Sequence, residues 1–216
     1  MSNHQARVRF INIASVLQYG EWTGSEGRTG IDKRSVSGPI EFKNNAVAGD
    51  RVIDTNVHGG FDQAVYAYAH EDALWWEKEI NEEISAGRFG ENLTTEGIDV
   101  NASLVGERWK IGSVILEVSQ PRIPCRVFAG FWKRATLIKD FTEAGRPGAY
   151  LRIIQEGTAQ AGDAIEVVFK PDHSISISDL FAAKSGERSK INEIKEVPYL
   201  SSGFKEWAEK IAATQN

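Results

Sequence analysis

The sequence predicts a mainly β fold with helices, an α+β chain built on a closed or partly closed sheet. Three observations carry that prediction. Short apolar, alternating segments recur from Arg7 to Phe169. A glycine followed by an acid opens three of them: Ala48-Gly49-Asp50 before Val52-Ile53, Val105-Gly106-Glu107 before Trp109, and Ala161-Gly162-Asp163 before Ile165. Tight corners repeated in this way suit a curled sheet better than a βαβ series. From Pro171 onward the apolar period turns helical, so a boundary is expected there, with a main domain over 1–170 and a three-helix appendage over 171–216.

Each element has its own signal. Arg7–Leu17 alternates with both faces largely apolar, as in a central strand; Val8, Phe10, Asn12, Ala14 and Val16 share one face. Residues 18–30 hold four glycines and read as a loop. Val36–Phe42 is a strand broken by Gly38-Pro39, and Ala64–Tyr68 is a short apolar strand. Glu71–Ala86 is helical: Ala73, Trp76, Ile80 and Ile84 form a stripe, acids open it and Gly87 follows it. Leu104–Ile111 and Val114–Ser119 flank Gly112-Ser113, a hairpin signal. The chain after Cys125 is helical to Ala144, with a break near Arg134–Thr136, and Tyr150–Gln155 and Ile165–Phe169 are strands. In the tail Ser178 caps a first helix, Ile191, Ile194 and Val197 mark a second, and Ser201 or Ser202 caps a third carrying Phe204, Trp207 and Ile211. Such an appendage buries little alone and is expected to pack on the main domain.

Bulk properties exclude several function classes. The chain has 216 residues, 41% hydrophobic and 25% charged, which is an ordinary globular composition. Net charge is −5 and the pI about 5.5, so general nucleic-acid binding is not expected. One cysteine excludes an intrachain disulfide and fits a reducing compartment. Met1–Arg9 has no apolar signal core, and no apolar run approaches membrane-spanning length. A cytoplasmic location and no membrane partner are the expectations.

Cys125 closes the run Ser119-Gln120-Pro121-Arg122-Ile123-Pro124-Cys125, with Arg126 next. Pro124 suits the first turn of the helix that follows, where a missing N–H costs nothing. Cys125 would then stand near a helix N-terminus among cations, conditions that favour a thiolate, the form that ligates a soft metal or attacks an electrophile. A small buried apolar side chain is the other reading. In Asn56-Val57-His58-Gly59-Gly60-Phe61 two glycines let the backbone approach a ligand or take positive φ, and His58 could bond an anion or donate a proton; a tight turn explains the run equally. Arg88-Phe89-Gly90-Glu91-Asn92-Leu93-Thr94-Thr95 gathers a carboxylate, an amide and hydroxyls that either cradle a ligand or tie down a turn. Lys33 and Arg34 either bind a phosphate or form a solvated pair. The histidines are too scattered, and cysteine too scarce, for a zinc set; no phosphate-binding loop or nucleophile elbow occurs.

The ordered set His58-Gly59-Gly60 with Ala64-Val65-Tyr66, Phe89-Gly90-Glu91-Asn92-Leu93-Thr94, Gly112, and Gln120-Pro121-Arg122-Ile123-Pro124-Cys125 resembles the MOSC domain, named after the C-terminal domain of molybdenum-cofactor sulfurases. The resemblance covers residues 8–170, and the tail resembles the three-α extension of the YiiM-type branch. It implies a distorted β-barrel and a molybdopterin-type molybdenum cofactor whose metal is held by Cys125. It further implies reduction of N-hydroxylated compounds, such as N-hydroxylated purines, with electrons from a separate reductase. Lys33, Arg34, Arg122 and Arg126 would supply charge for the anionic pterin. His58 and Asn92 would hydrogen-bond the cofactor, with Gly59, Gly60 and Thr94 beside them and either His58 or water as proton source. Some of the six tryptophans could line a flat pocket. Some MOSC domains are fused to a pyridoxal-phosphate desulfurase; no such domain stands in this sequence, so no pyridoxal phosphate is expected in this chain alone. A non-catalytic carrier of the cofactor, or of sulfur as a persulfide on Cys125, is the alternative. A homodimer is left open.

Overall fold

The computed structural model describes residues 5–55 and 58–214; Asn56-Val57 of the histidine run and the Met1–His4 part of the leader reading lie outside them. Strands dominate the first half: β1 (Arg7–Ile13), β2 (Gln18–Tyr19), β3 (Arg28–Thr29), β4 (Arg34–Val36), β5 (Ile40–Lys43), β6 (Ala46–Val47) and β7 (Val65–Ala69). Helix α1 (His70–Ile80) follows, then β8 (Leu93–Glu96), β9 (Arg108–Ile111) and β10 (Val114–Pro121). Two helices, α2 (Arg126–Trp132) and α3 (Leu137–Ala144), lead to β11 (Ala149–Gln155), β12 (Gly157–Ala159) and β13 (Ile165–Phe169). The tail is α4 (Ile177–Lys184), α5 (Ile191–Ile194) and α6 (Ser202–Ala213).

Eight strands form one sheet in the order β13-β9-β10-β11-β7-β8-β1-β4, antiparallel except at the parallel β7–β8 pair. β5, β6 and β12 make a small second sheet. The large sheet curls back on itself: Arg7 bridges Ala164, and the Ile165 N–H donates to the Ala6 carbonyl at 2.8 Å. No ladder joins β13 to β4 among the described residues, so the barrel is distorted and incomplete. This is the mixed, sheet-dominated architecture expected.

Local departures have local causes. β1 is central, between β4 and β8, but ends at Ile13, where the Ala14 N–H turns aside to the Asp50 carboxylate at 2.8 Å. A register shift between Val8 and Phe10 breaks its alternation, so Val8 and Ile11 are buried while Phe10 is exposed. The helix expected to reach Ala86 stops at Ile80, because Asn81 takes the left-handed conformation and caps it (φ 54°). Gly87 serves a different purpose from a helix stop: with φ 84°, it lets the Lys33 carbonyl come so close that a Cβ there would collide with it. Val52-Ile53 forms no strand, although Gly106-Glu107 and Gly162-Asp163 do open onto β9 and β13. Helix α4 starts at Ile177, two residues before a Ser178 cap would allow, because Ser176 and Asp179 form a capping box. Lys133, also left-handed, makes the break between α2 and α3.

Two apolar clusters hold the molecule. One runs through the sheet (Trp109, Leu116, Leu151) and continues into Leu180, Ile194, Phe204 and Ala208, so the tail helices share the core of the sheet. The other is aromatic: Tyr66, Tyr68, Trp76, Phe89, Phe128, Trp132 and Phe141 pack between β7, α1, α2 and α3. It forms the floor beneath Cys125.

Candidate functional site around Cys125

β10 and α2 meet at the cysteine. A register shift between Val118 and Gln120 bends β10 at Ser119, whose hydroxyl donates to the Asp62 and Tyr150 carbonyls at 2.5 and 3.0 Å. Cys125 is extended (φ −134°, ψ 172°) and is the N-cap of α2, so Pro124 precedes the helix and does not enter its first turn. The Ala129 N–H closes the first turn on the Cys125 carbonyl at 3.1 Å.

One cavity gathers side chains from distant parts of the chain. Lys33, His58, Gly59, Asn92, Arg122 and Cys125 of the sequence candidates line it. Tyr66, Tyr150, Asp50, Arg51, Arg28 and Gln63 line it too, without having been singled out as site residues. Tyr66 and Gln63 lay in or beside singled-out motifs and Asp50 in a turn signal read only as architecture; Tyr150, Arg51 and Arg28 come from separate loops and strands with no local signature of a site. Arg34, Gly60, Thr94 and Arg126 do not line it. Arg34 follows Lys33 on an extended chain and points the other way, to Asp32 at 2.9 Å. Gly60, like Gly59, has positive φ (74° and 75°), so the pair shapes the turn after His58. Arg126 is exposed. No tryptophan lines the cavity; its aromatic walls are Tyr66 and Tyr150.

The Glu91-Asn92-Thr94 run is internal scaffolding. Glu91 is buried and accepts from the Gly87 N–H (2.6 Å), the Phe89 N–H (3.0 Å) and the Thr94 hydroxyl (2.8 Å). Burial pushes its carboxyl up, against these donors. Thr94 also accepts from Asn12 at 3.0 Å. The Asn92 amide donates to the Asn12 carbonyl (3.2 Å) and the Asp50 carboxylate (2.8 Å), and accepts from the Tyr66 N–H (3.2 Å). Asp50 also pairs with Lys33 in a buried ion pair. Desolvation lowers the Lys33 pKa despite Asp50, while Asp50 lies below its ordinary value because Lys33 and its hydrogen bonds outweigh burial.

The lining around Arg122 and Cys125 is different. Arg122 is buried and donates to the Phe89 carbonyl. Its guanidinium lies 4.0 Å from the Phe128 ring centroid and 5.3 Å from that of Tyr66. Among the described residues it forms no ion pair; burial opposes its charge, but Tyr66, Tyr150 and Cys125 outweigh that and hold its pKa above the ordinary value. Cys125 is partly buried, and His58 lines the same cavity and interacts with its thiol. Burial alone would raise its pKa; the His58 hydrogen bond and the Arg122 charge outweigh that and bring the thiol down to about 7. A thiol inclined to ionise, an imidazole and a guanidinium without a carboxylate partner thus meet on one wall, an arrangement able to ligate a soft metal and hold an anion.

The MOSC domain family model matches residues 54–166. The chain belongs to the MOSC domain family. It is 30% identical to YflK of Bacillus subtilis over 157 residues, 73% of this chain and 71% of that protein. It is 31% identical over 152 residues to a protein of Gibberella moniliformis named Reductase, a match covering 68% of this chain and 27% of that longer protein. Its structure is similar to the crystal structure of YiiM from Geobacillus stearothermophilus, with a TM-score of 0.79 and 27% identity, covering 95% of this chain and 98% of the other. No helix among the described residues is long and apolar enough to cross a membrane.

Proposed function

We propose that this chain binds a molybdenum cofactor and reduces N-hydroxylated compounds, taking electrons from a separate reductase in the cytoplasm. The observation that carries the reading is the acidified Cys125 thiol beside the buried Arg122, which has no carboxylate partner. The donor set fits the group. A thiolate suits molybdenum, and no group of three His, Cys, Asp or Glu stands together among the described residues, so the remaining ligands would come from the organic part of the cofactor. Arg122 would hold its anionic part, Tyr66 and Tyr150 would flank it, and Lys33, already paired with Asp50, would stand beside it without contributing free charge. Asn92, fully engaged within the protein, supports the wall. The relative named Reductase supports a redox role.

When bound, the cofactor supplies the two-electron chemistry, and the protein supplies binding, orientation and electrostatics. Reduction of an N–OH group to N–H consumes two electrons and two protons and releases water. His58, within hydrogen-bond reach of Cys125, would hold a proton at an imidazole nitrogen for the departing oxygen. Arg122 would keep Cys125 ionised and the cofactor oriented.

Metal analysis of wild type and Cys125→Ala, both expressed in a host competent for cofactor synthesis, tests this. Near-stoichiometric molybdenum in the wild type and none in the variant is expected. Equal molybdenum in both overturns the assignment of Cys125. A trapped persulfide on Cys125 in a molybdenum-free wild type would replace this reading with a sulfur carrier.

A further inference from the structure

We infer that the groove between His58 and the start of α6 is the substrate site, and that it selects N-hydroxylated aromatic compounds bearing an anionic substituent. The chemistry rests on the reductase reading; the location rests on geometry. The Cys125 cavity and a second, more open groove share a wall made of His58, Gly59 and Gln63. Beyond that wall the groove runs between the loop residues Phe61 and Ile123 and the tail residues Lys184 and Phe204. One end of the groove is therefore His58, which also lines the Cys125 cavity, and the other is formed by the helical tail.

Three properties define the ligand. Phe61 and Ile123 are 52% and 45% exposed and present apolar surface to the groove, which suits a flat ring. The Gln63 side-chain oxygen is buried at the shared wall without a hydrogen-bond partner, and an N–H or O–H near the reacting end of a substrate would answer it. The third property is charge. Asp62 is the acid among the groove's lining residues, and its carboxylate is taken by Arg152 at 2.7 Å. Lys184 makes no ion pair among the described residues; its ammonium lies 4.1 Å from the Trp207 ring centroid and 5.0 Å from that of Phe204. A part-buried ammonium held by aromatic faces alone has lost hydration that an anionic ligand would replace. The tail would thus add specificity to a site whose reactive end belongs to the barrel.

The test uses two pairs of compounds: benzamidoxime with 4-carboxybenzamidoxime, and N-hydroxyadenine with N-hydroxyadenosine 5′-monophosphate. The cofactor-loaded full chain is assayed with an artificial low-potential electron donor, and the anionic-to-neutral ratio of kcat/KM is taken for each pair. A preference of about tenfold for the anionic member of at least one pair is expected, carried by KM, abolished in Lys184→Gln and restored in Lys184→Arg. Quenching of tryptophan fluorescence in the cofactor-free chain gives a second readout without turnover, since Trp207 adjoins Lys184. No preference in the wild type for either pair, or a preference that survives Lys184→Gln, overturns the inference. If none of the four compounds is turned over, the reductase reading fails. Saturable quenching that Lys184→Gln removes would then still uphold the groove as a site for anionic rings, and its absence would remove that as well.

Discussion

The two walls of the Cys125 cavity are both polar and both buried, yet they treat their charges in opposite ways. On one, Asp50 receives Lys33, Asn92 and the Ala14 N–H, while next to Asn92 in the chain Glu91, which does not itself line the cavity, receives two backbone N–H groups and the Thr94 hydroxyl. On the other, Arg122 meets a carbonyl and two aromatic faces but no carboxylate, and Cys125 is held near neutrality by His58 and that same guanidinium. The first wall has spent its hydrogen-bonding capacity on the fold. The second has charge left over for something else. Polar residue type alone does not mark a binding site; an unanswered charge does.

The sharpest way to break this division is Asp50→Ala. It strands Lys33 as a buried, unpaired ammonium, and removing one partner of such a pair typically costs about 4 kcal/mol. Urea unfolding should show that loss, and the double change Lys33→Met with Asp50→Ala should recover at least half of it. If the double variant is as unstable as the two singles added together, the wall is not a coupled unit. Glu91→Ala comes next. It orphans the Gly87 and Phe89 N–H groups and the Thr94 hydroxyl, for about 3 kcal/mol on the same measurement. A loss below about 1 kcal/mol would show that water replaces the carboxylate and that Glu91 is no scaffold.

These two walls also explain what could be read from the sequence. Strand and helix positions were legible where local pattern decides them: Val65–Ala69, the β9–β10 hairpin at Gly112-Ser113, and the break between α2 and α3. The misses lie where tertiary contacts override pattern. Val52-Ile53 alternates like a strand, but Asp50 is drawn into the Lys33–Asn92 network and residues 51–54 become cavity wall. The cysteine run was legible because Pro121, Arg122, Pro124 and Cys125 are adjacent and chemically unusual together. Glu91-Asn92-Thr94 was ambiguous in sequence, since a ligand cradle and a tied-down turn use the same residues; only the hydrogen-bond partners separate them. Arg28, Arg51 and Tyr150 could not be found, because folding alone brings them to Cys125.

The second wall answers to pH. The Cys125 thiol lies at about 7 in the folded chain against an ordinary 9.0. A group with a depressed folded pKa stabilises the fold fully above its unfolded pKa, and that contribution is lost as pH falls through the folded value. The two-unit gap corresponds to about 2.7 kcal/mol. In cofactor-free protein, the stability difference between wild type and Cys125→Ala should therefore widen by about 2.6 kcal/mol as pH rises from about 6 to about 10. A constant difference would mean that the thiol keeps its ordinary pKa.

Arg122→Gln should have the smallest effect on stability and so gives the sharpest contrast with Asp50→Ala. Glutamine retains a donor for the Phe89 carbonyl, and relief of the desolvation cost of a buried guanidinium offsets the lost packing on Phe128. The net change in unfolding free energy should stay within about 1 kcal/mol. Reactivity should move instead. The pH midpoint for alkylation of Cys125 by iodoacetamide should start near 7 and rise by about one unit, because a cation that favours the thiolate has been removed. A variant that unfolds readily but keeps the same alkylation midpoint would reverse the assignment: Arg122 would belong with the structural wall, and the charge that tunes the thiol would have to be that of His58.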